Sequence, residues 1–248
     1  MKYPAFIIIY SFIIIFLQSC GKSSTKSFTI EGDIKGLTKG TVYLERVIDT
    51  LIKPIDSANV FNNGKFTLGD NLESPEIYYL RIKEIPNESL LIFGEKGAIK
   101  VNSKLEKFVT SAKVSGSKNH DLLQEYKDMI QKFNGKRLDI FKANFDAERA
   151  NNQDKLDSLN KQYKSLVKKR YLYTANFAVN HADKEVAPYI ALTELYNANI
   201  SLLDTVNNSL TEDIKNSKYG KKLDNFITII KKNEPKNDSQ SAQDLLNK

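Results

Sequence analysis

The sequence predicts an α+β protein, in which an N-terminal antiparallel β-sandwich or barrel is followed by a C-terminal helical region. Two observations predict this order, and a third predicts that the chain has a substantial core. Apolar and polar residues alternate over residues 28–114, with turn residues between the runs. Near residue 117 the apolar spacing changes to three and four, which is the period of one helix face. Apolar residues make up 41% of the chain, enough to form a substantial core.

The chain begins with a segment typical of secretion. Residues 5–17 form a run of 13 mostly apolar residues, too short for a membrane span of about 20 residues. The run has the length of the hydrophobic part of a signal peptide, with a small residue, Ser19, at the cleavage point. Its ending, Leu17-Gln18-Ser19-Cys20, resembles the bacterial lipobox. That resemblance implies a signal peptide over residues 1–19 and lipidation of Cys20. The alternative is an uncleaved hydrophobic anchor.

The residues around Cys20 also predict the location of the protein. Residues 20–27 form a short, polar, lipidated tether, with no acidic residue before Glu31. Bacteroidota lipoproteins that reach the cell surface tend to carry acids just after the cysteine. We therefore expect a lipid-anchored protein of the cell envelope, on the outer membrane and facing the periplasm. Because Cys20 is the only cysteine, lipidation leaves no disulfide and no free thiol nucleophile.

Short strands fill the predicted β-rich domain, residues 28–117. Strands are predicted at residues 28–34, 42–44, 51–60, 66–68, 77–82, 90–93, 98–101 and 108–114. Pro54 cannot donate a hydrogen bond to a neighbouring strand, so it indicates an edge or a bulge. The Asn62-Asn63-Gly64-Lys65 and Gly94-Glu95-Lys96-Gly97 segments each predict a hairpin turn.

Two long helical runs open the predicted helical region, residues 118–232. Apolar residues share one helix face between Leu122 and Phe133, and Ser117 or Asn119 could cap this helix. Asn134-Gly135 is expected to interrupt or end it. A second run, residues 156–167, has an apolar side and a basic side, so an antiparallel helical hairpin is the economical interpretation.

Shorter helices are predicted to complete the region. Pro188 fits only the first turn of a helix. A short helix is predicted at residues 202–210, and Ser217 is expected to cap the last one. This last helix has an apolar stripe, with Ile229 at its flank. Residues 233–248 are polar and are predicted to be a disordered tail.

The formal net charge of +7 lies mainly in the helical region. Residues 28–115 carry twelve charges of each sign, whereas residues 116–232 carry twenty basic and fifteen acidic residues. We interpret this excess as a solvated helical face. Nothing in the sequence or the expected compartment indicates nucleic-acid binding.

The order of these segments resembles a known group of lipoproteins. Short motifs within the β-rich part and the helical part carry the resemblance, at residues 28–32, 36–44, 55–58, 63–66, 114–117, 177–180, 186–189 and 217–220. They are similar to domain of unknown function 4369 and the helical connector that follows it in Bacteroidota thiol:disulfide interchange proteins. Those proteins continue into a thioredoxin-like domain with a Cys-x-x-Cys pair. The sequence contains one cysteine, Cys20, and therefore no such pair, so the resemblance carries their redox activity to no residue here.

The two histidines, His120 and His181, are the first candidates for a site. A metal or acid–base role would need them near each other or near Asp121 and Asp183. Both lie at predicted helix edges, where solvated histidines are common, so we predict no metal site and no catalytic role.

The remaining candidates also receive structural interpretations. The Asp56-Ser57 pair has no histidine nearby in sequence to activate it, so a strand or turn position is expected. The Gly94–Gly97 segment lacks the spacing and the Ser/Thr of a phosphate loop. Tyrosines are more often core or edge residues than carbohydrate platforms, which applies to Tyr78, Tyr79, Tyr171 and Tyr173.

Three functions stay open at this stage, and none of them is enzymatic, because no nucleophile, base and orienting group come together in the sequence. The first is a non-catalytic, lipid-anchored module that binds a protein partner. The second is an accessory acting in trans on a thiol-disulfide redox system, with a thioredoxin-like partner. The third is a small-molecule or glycan binder that uses the sheet. We predict no cofactor.

Overall fold

A computed structural model describes residues 26–233 and has the predicted α+β class. Eight strands form two open four-stranded sheets, with no closed barrel among the described residues. The predicted signal peptide, Cys20 and the segment after residue 233 lie outside the described residues. The strands are β1 (Phe28–Lys35), β2 (Lys39–Ile48), β3 (Leu51–Phe61), β4 (Lys65–Asp70), β5 (Glu76–Ile82), β6 (Ser89–Gly94), β7 (Gly97–Lys104) and β8 (Lys113–Ser115).

The two sheets pack as a sandwich around one apolar core. Their strand orders are β4-β1-β7-β8 and β3-β2-β5-β6. Alternate residues of the strands point inward, as the period of two predicts, and Phe28, Leu44 and Ile99 are among the fully buried ones. Five of the six strand pairings are antiparallel, but β1 pairs with β7 in parallel.

The expectation for Pro54 is confirmed. The β2–β3 register shifts where Leu44 pairs with Asp56 and Glu45 pairs with Pro54, which leaves Ile55 as the extra residue of a bulge. Strand β3 is also an edge strand of its sheet.

The two predicted hairpin turns are tight reversals, but neither joins paired strands. Residues 62–65 link β3 to β4, and residues 94–97 link β6 to β7, in each case from one sheet to the other. Positive φ angles at Asn62 (69°), Gly64 (71°) and Gly97 (113°) explain the sequence signal. Such residues specify a reversal without specifying whether the flanking strands pair.

The predicted strand at residues 108–114 is mostly wrong. A 3₁₀ turn at Leu105–Lys107 and further turns precede the short β8. Phe108 enters the core from this turn, and its carbonyl accepts a 2.6 Å hydrogen bond from Ser103 Oγ. The apolar residues of this segment therefore reflect one inserted side chain and not a strand period.

In the part of the chain that the structure describes, the sandwich is followed by the helices α1 (Lys118–Arg149), α2 (Gln153–Asn180), α3 (Val186–Glu194), α4 (Ile200–Ser209), α5 (Glu212–Lys215) and α6 (Lys218–Asn233). Ser117 caps α1, since its Oγ accepts from His120 N at 3.0 Å. The expected break at Asn134-Gly135 is wrong, because α1 continues through it for 32 residues. Helices α1 and α2 pack on each other as the predicted hairpin.

The later helices agree with the sequence patterns. Pro188 lies in the first turn of α3, and Ser217 Oγ accepts from Gly220 N at 3.2 Å at the start of α6. Leu223 and Ile227 of α6 are buried in a core shared with α2–α5, whereas Ile229 is 57% exposed. No helix in residues 26–233 combines the length and the apolar character needed to cross a membrane.

The sandwich and the helices meet through a third apolar cluster. Ile77 and Phe93 of the sandwich pack there against Tyr126, Ile190 and Tyr219 of the helices. A polar contact joins the two parts, since Ile77 N donates to Tyr219 Oη at 3.1 Å. Within the helical part, Val186 N donates to Asn119 Oδ1 at 2.9 Å. Glu95 of the β6–β7 turn accepts from Lys118 N at 2.6 Å, at the start of α1.

Candidate functional site

The two histidines have different surroundings. His120 is 8% exposed, and its Nδ1 accepts a 3.3 Å hydrogen bond from Phe93 N. Burial, together with the nearby Lys127, lowers the pKa of His120 to about 4. The expectation of a solvated His120 is therefore wrong. His181 is half-buried, with its ring centroid 4.6 Å from that of Phe177. Within residues 26–233 no three His, Cys, Asp or Glu side chains are grouped to hold a metal.

Asp56 stabilises the connection between the two sheets. Its carboxylate accepts from Gly69 N of β4 and from Ser57 N, both at 2.9 Å, and pairs with Lys26 at 2.5 Å. Burial alone would raise the pKa of Asp56, but these three bonds hold it below its usual value. The strand position expected for Asp56-Ser57 is where the structure places it.

The four candidate tyrosines take part in packing. Tyr78 is fully buried in the sandwich, and its hydroxyl donates to Asp70 at 2.8 Å. Tyr79 packs against the cluster between the sandwich and the helices. Tyr171 packs in the helical core, and Tyr173 stacks on Tyr126 with ring centroids 6.1 Å apart. None of these four rings forms part of an open aromatic platform.

The outer part of the α1–α2 hairpin, residues 131–169, is a candidate interaction surface that we call the arm. Only Ala147 and Leu159 are buried within it, so the two helices pack on one another and otherwise face solvent. At 1.5 Å per residue, the α1 side of the arm extends about 28 Å. The arm carries ten basic and five acidic residues.

An apolar stripe runs along the α1 side of the arm. Leu138, Phe141 and Phe145 are spaced three and four residues apart, which places them on one face, and they are 67%, 50% and 58% exposed. Arg137 and Arg149 lie over the rings of Phe141 and Phe145, at 5.9 and 5.8 Å from the centroids. The sequence analysis does not predict this stripe, because it expects the helix to be interrupted or to end at Asn134-Gly135. The spacing of three and four residues between its apolar side chains is the signal that would predict it.

A cleft of about 980 Å³ lies between the sandwich and the helices. Loops β4–β5 and β6–β7 form one side, and α5 and the start of α6 form the other. An ion pair between Lys218 of α6 and Glu76 of β5 crosses it. On the sandwich side, Arg46 contacts Asp70 at 3.4 Å and Glu76 at 3.2 Å. The cleft thus joins residues far apart in sequence, and no local motif predicts it.

Comparison with known proteins gives one match. Residues 28–123, which span the sandwich and the first residues of α1, match the family model described as Domain of unknown function (DUF4369). This match supports the resemblance of the β-rich part to that domain family. No curated protein and no solved structure matches the chain.

Proposed function

We propose that this protein, whose sandwich matches a domain of unknown function, is a lipid-anchored, non-catalytic module that binds a protein partner in the cell envelope. The observation that carries the proposal is the exposed apolar stripe on the basic arm. Its membrane attachment rests on the Leu17–Cys20 ending of the apolar N-terminal segment. Two acyl signals would give firm attachment.

The chemistry of the arm indicates the kind of partner it fits. Phe141 and Phe145 are aromatic side chains of a type enriched in protein interfaces, and burying the exposed half of each ring is worth about 1 kcal/mol. The excess of five positive charges on the arm would attract an acidic surface and speed association. We therefore expect a partner with an apolar patch bordered by Asp and Glu.

The identity of this partner is a narrower proposal. Residues 28–230 resemble the part of thiol:disulfide interchange lipoproteins that lies outside their thioredoxin-like domain. If a thioredoxin-like protein binds to the arm, this chain is an accessory of a thiol-disulfide redox system, acting in trans. We place this complex on the outer membrane, facing the periplasm. The glycan alternative draws no support from Tyr78 or Tyr79 of the sheet, because both side chains take part in packing.

The test compares capture by three forms of the full chain in envelope extracts. We expect wild type to retain a defined acidic protein, and Phe141→Glu/Phe145→Glu to lose at least nine-tenths of it. Phe141 is half-exposed and its ring lies 5.8 Å from that of Tyr163 on α2, so circular dichroism must show that the variant keeps the helical content of wild type. The matched control is Phe61→Glu, another exposed aromatic (62%) far from the arm in sequence, which should capture normally. Capture should weaken in 0.5 M salt.

Two further readouts separate the parts of the proposal. Cys20→Ser should lose membrane attachment and acyl labelling while keeping the captured protein. If the captured protein reduces insulin disulfides, the redox-accessory proposal is supported. Equal capture by the arm variant and wild type would overturn the assignment of the arm, and fatty-acid label retained on Cys20→Ser would overturn the anchor.

A further inference from the structure

Glu185 is an unusual residue in the cleft between the sandwich and the helices. It directly precedes α3, lines the cleft, and is only 5% exposed. Its Oε2 atom is buried and accepts no hydrogen bond from any described residue. Glutamate is rarely buried this deeply without a partner, because an ionised carboxylate needs donors around both oxygens.

The usual roles of such a carboxylate do not apply to Glu185. It makes no side-chain capping bond with α3, and in the described part of the chain it forms no ion pair. Burial raises the pKa of Glu185, and the neighbouring Ser217 hydroxyl opposes part of that rise. A donor that also carries a positive charge would satisfy Oε2 and offset the burial.

Basic groups line the same cleft. Lys218 is already paired with Glu76, but Lys96 and Lys221 are exposed and make no ion pair with a described residue. Arg46 also lines the cleft, and its buried Nε has no hydrogen-bond partner. Among the described residues, the cleft thus holds a buried acceptor without a partner on Glu185 and basic groups free to donate. The acids Glu73, Glu95 and Asp213 also line it.

We propose that this cleft binds a zwitterionic ligand with a primary ammonium and a carboxylate, namely a free amino acid or a short peptide. The ammonium pairs with Glu185, and the carboxylate pairs with Lys96 and Lys221. Charge-assisted hydrogen bonds of this kind are the strong ones in proteins. The volume of about 980 Å³ accommodates several residues of a peptide. This site is separate from the arm, so it stands or falls independently of the proposed function.

Calorimetry on the purified full chain in detergent tests the chemistry of the ligand. The probes are glycine, triglycine, N-acetyl-triglycine and triglycine amide. We expect triglycine to bind, and its acetylated and amidated forms to bind at least tenfold more weakly. If glycine binds with an affinity similar to that of triglycine, the ligand is a free amino acid. If triglycine binds and glycine does not, the ligand is a peptide. The proposal would be overturned if none of the four probes gave a heat of binding, or if N-acetyl-triglycine bound as tightly as triglycine.

Two variants test the residues. Glu185→Gln keeps the size of the side chain and should weaken triglycine binding at least tenfold. The matched control is Glu73→Gln, an exposed acid that lines the same cleft, which should bind within twofold of wild type. If Glu185→Gln does not fold, Lys96→Met/Lys221→Met alters only exposed side chains and should show the same loss. Wild-type affinity in either folded variant would overturn the assignment.

Discussion

At the scale of single residues, His120 links the two parts of the molecule. It lies in the first turn of α1 and accepts a hydrogen bond from Phe93 N of the sandwich. That role requires an unprotonated Nδ1. Burial and Lys127 both oppose protonation, while Asp121 favours it less strongly, and the pKa falls to about 4.

His120 should therefore make folding stability depend on pH. In the unfolded chain its pKa returns to about 6.5, so the unfolded state binds more protons between pH 4 and 6.5. The contribution of His120 is complete above pH 6.5 and is lost as the pH falls to about 4. At about 1.4 kcal/mol per pH unit, the loss approaches 3 kcal/mol.

Urea unfolding at pH 7, 5.5 and 4.5 measures this effect. In His120→Gln the free energy of unfolding should fall less steeply with decreasing pH than in wild type. His181→Gln removes the other histidine and serves as the control, in which the steeper fall should persist. Parallel pH profiles for wild type and His120→Gln would contradict the prediction.

His120 also shows a limit of sequence reasoning at this scale. The helix that carries it could be predicted, because the apolar period of α1 is clear from Leu122 onward. Its burial could not, since the period of one helix does not specify which surface packs on its N-terminal turn. The same holds for Glu185, which is enclosed by loops that come from both halves of the chain.

At the scale of elements, α1 continues through Asn134-Gly135. Gly135 is exposed in the helix, and an added Cβ would meet no atom within 4 Å. A glycine here costs roughly 0.5–1 kcal/mol relative to alanine, which the rest of the long hairpin tolerates. Asn134-Gly135 does disfavour a helix locally, but this cost is too small to end α1, which is stabilised by packing on α2.

Gly135→Ala should accordingly raise the free energy of unfolding by about 0.5–1 kcal/mol. Gly64→Ala is the opposite case, because Gly64 has a φ of 71° and its Cβ would lie 2.2 Å from the Ile34 carbonyl oxygen. It should lose at least about 2 kcal/mol. Thermal and urea unfolding of both variants provide the comparison. A Gly135→Ala variant less stable than wild type would show that α1 is strained at this point.

Strand positions were predictable where alternation is regular, as in β1, β4 and β7. The assignment of strands to sheets was not. The parallel β1–β7 pairing places Phe28 opposite Gly97, and no local pattern encodes a contact across this separation. A tight turn in the sequence is compatible with two arrangements: a hairpin within one sheet, or a connection from one sheet to the other.

At the scale of the whole molecule, the sandwich and the helices share one apolar cluster. Phe93 is fully buried there, with its ring 5.6 Å from Tyr189 and 6.0 Å from Tyr219. The Tyr219 hydroxyl also accepts from Ile77 N across the boundary. Neither half can expose its side of this cluster without exposing the other.

The two halves should therefore unfold in one cooperative transition. Phe93→Ala should lower the free energy of unfolding by about 3–5 kcal/mol, as large truncations of buried aromatic residues do. The loss should appear equally in amide exchange of sandwich strand β1 and of helix α4, which packs in the helical core and contributes no residue to the shared cluster. Phe61→Ala removes an exposed ring and should change stability by less than about 0.5 kcal/mol.

Separate transitions, with α4 exchanging at a lower free energy than β1 in wild type, would show that the shared cluster does not couple the halves. Coincident values that fall together in Phe93→Ala would place the coupling in this one cluster, because Phe93 belongs to the sandwich and its ring packs against Tyr189 and Tyr219 of the helices.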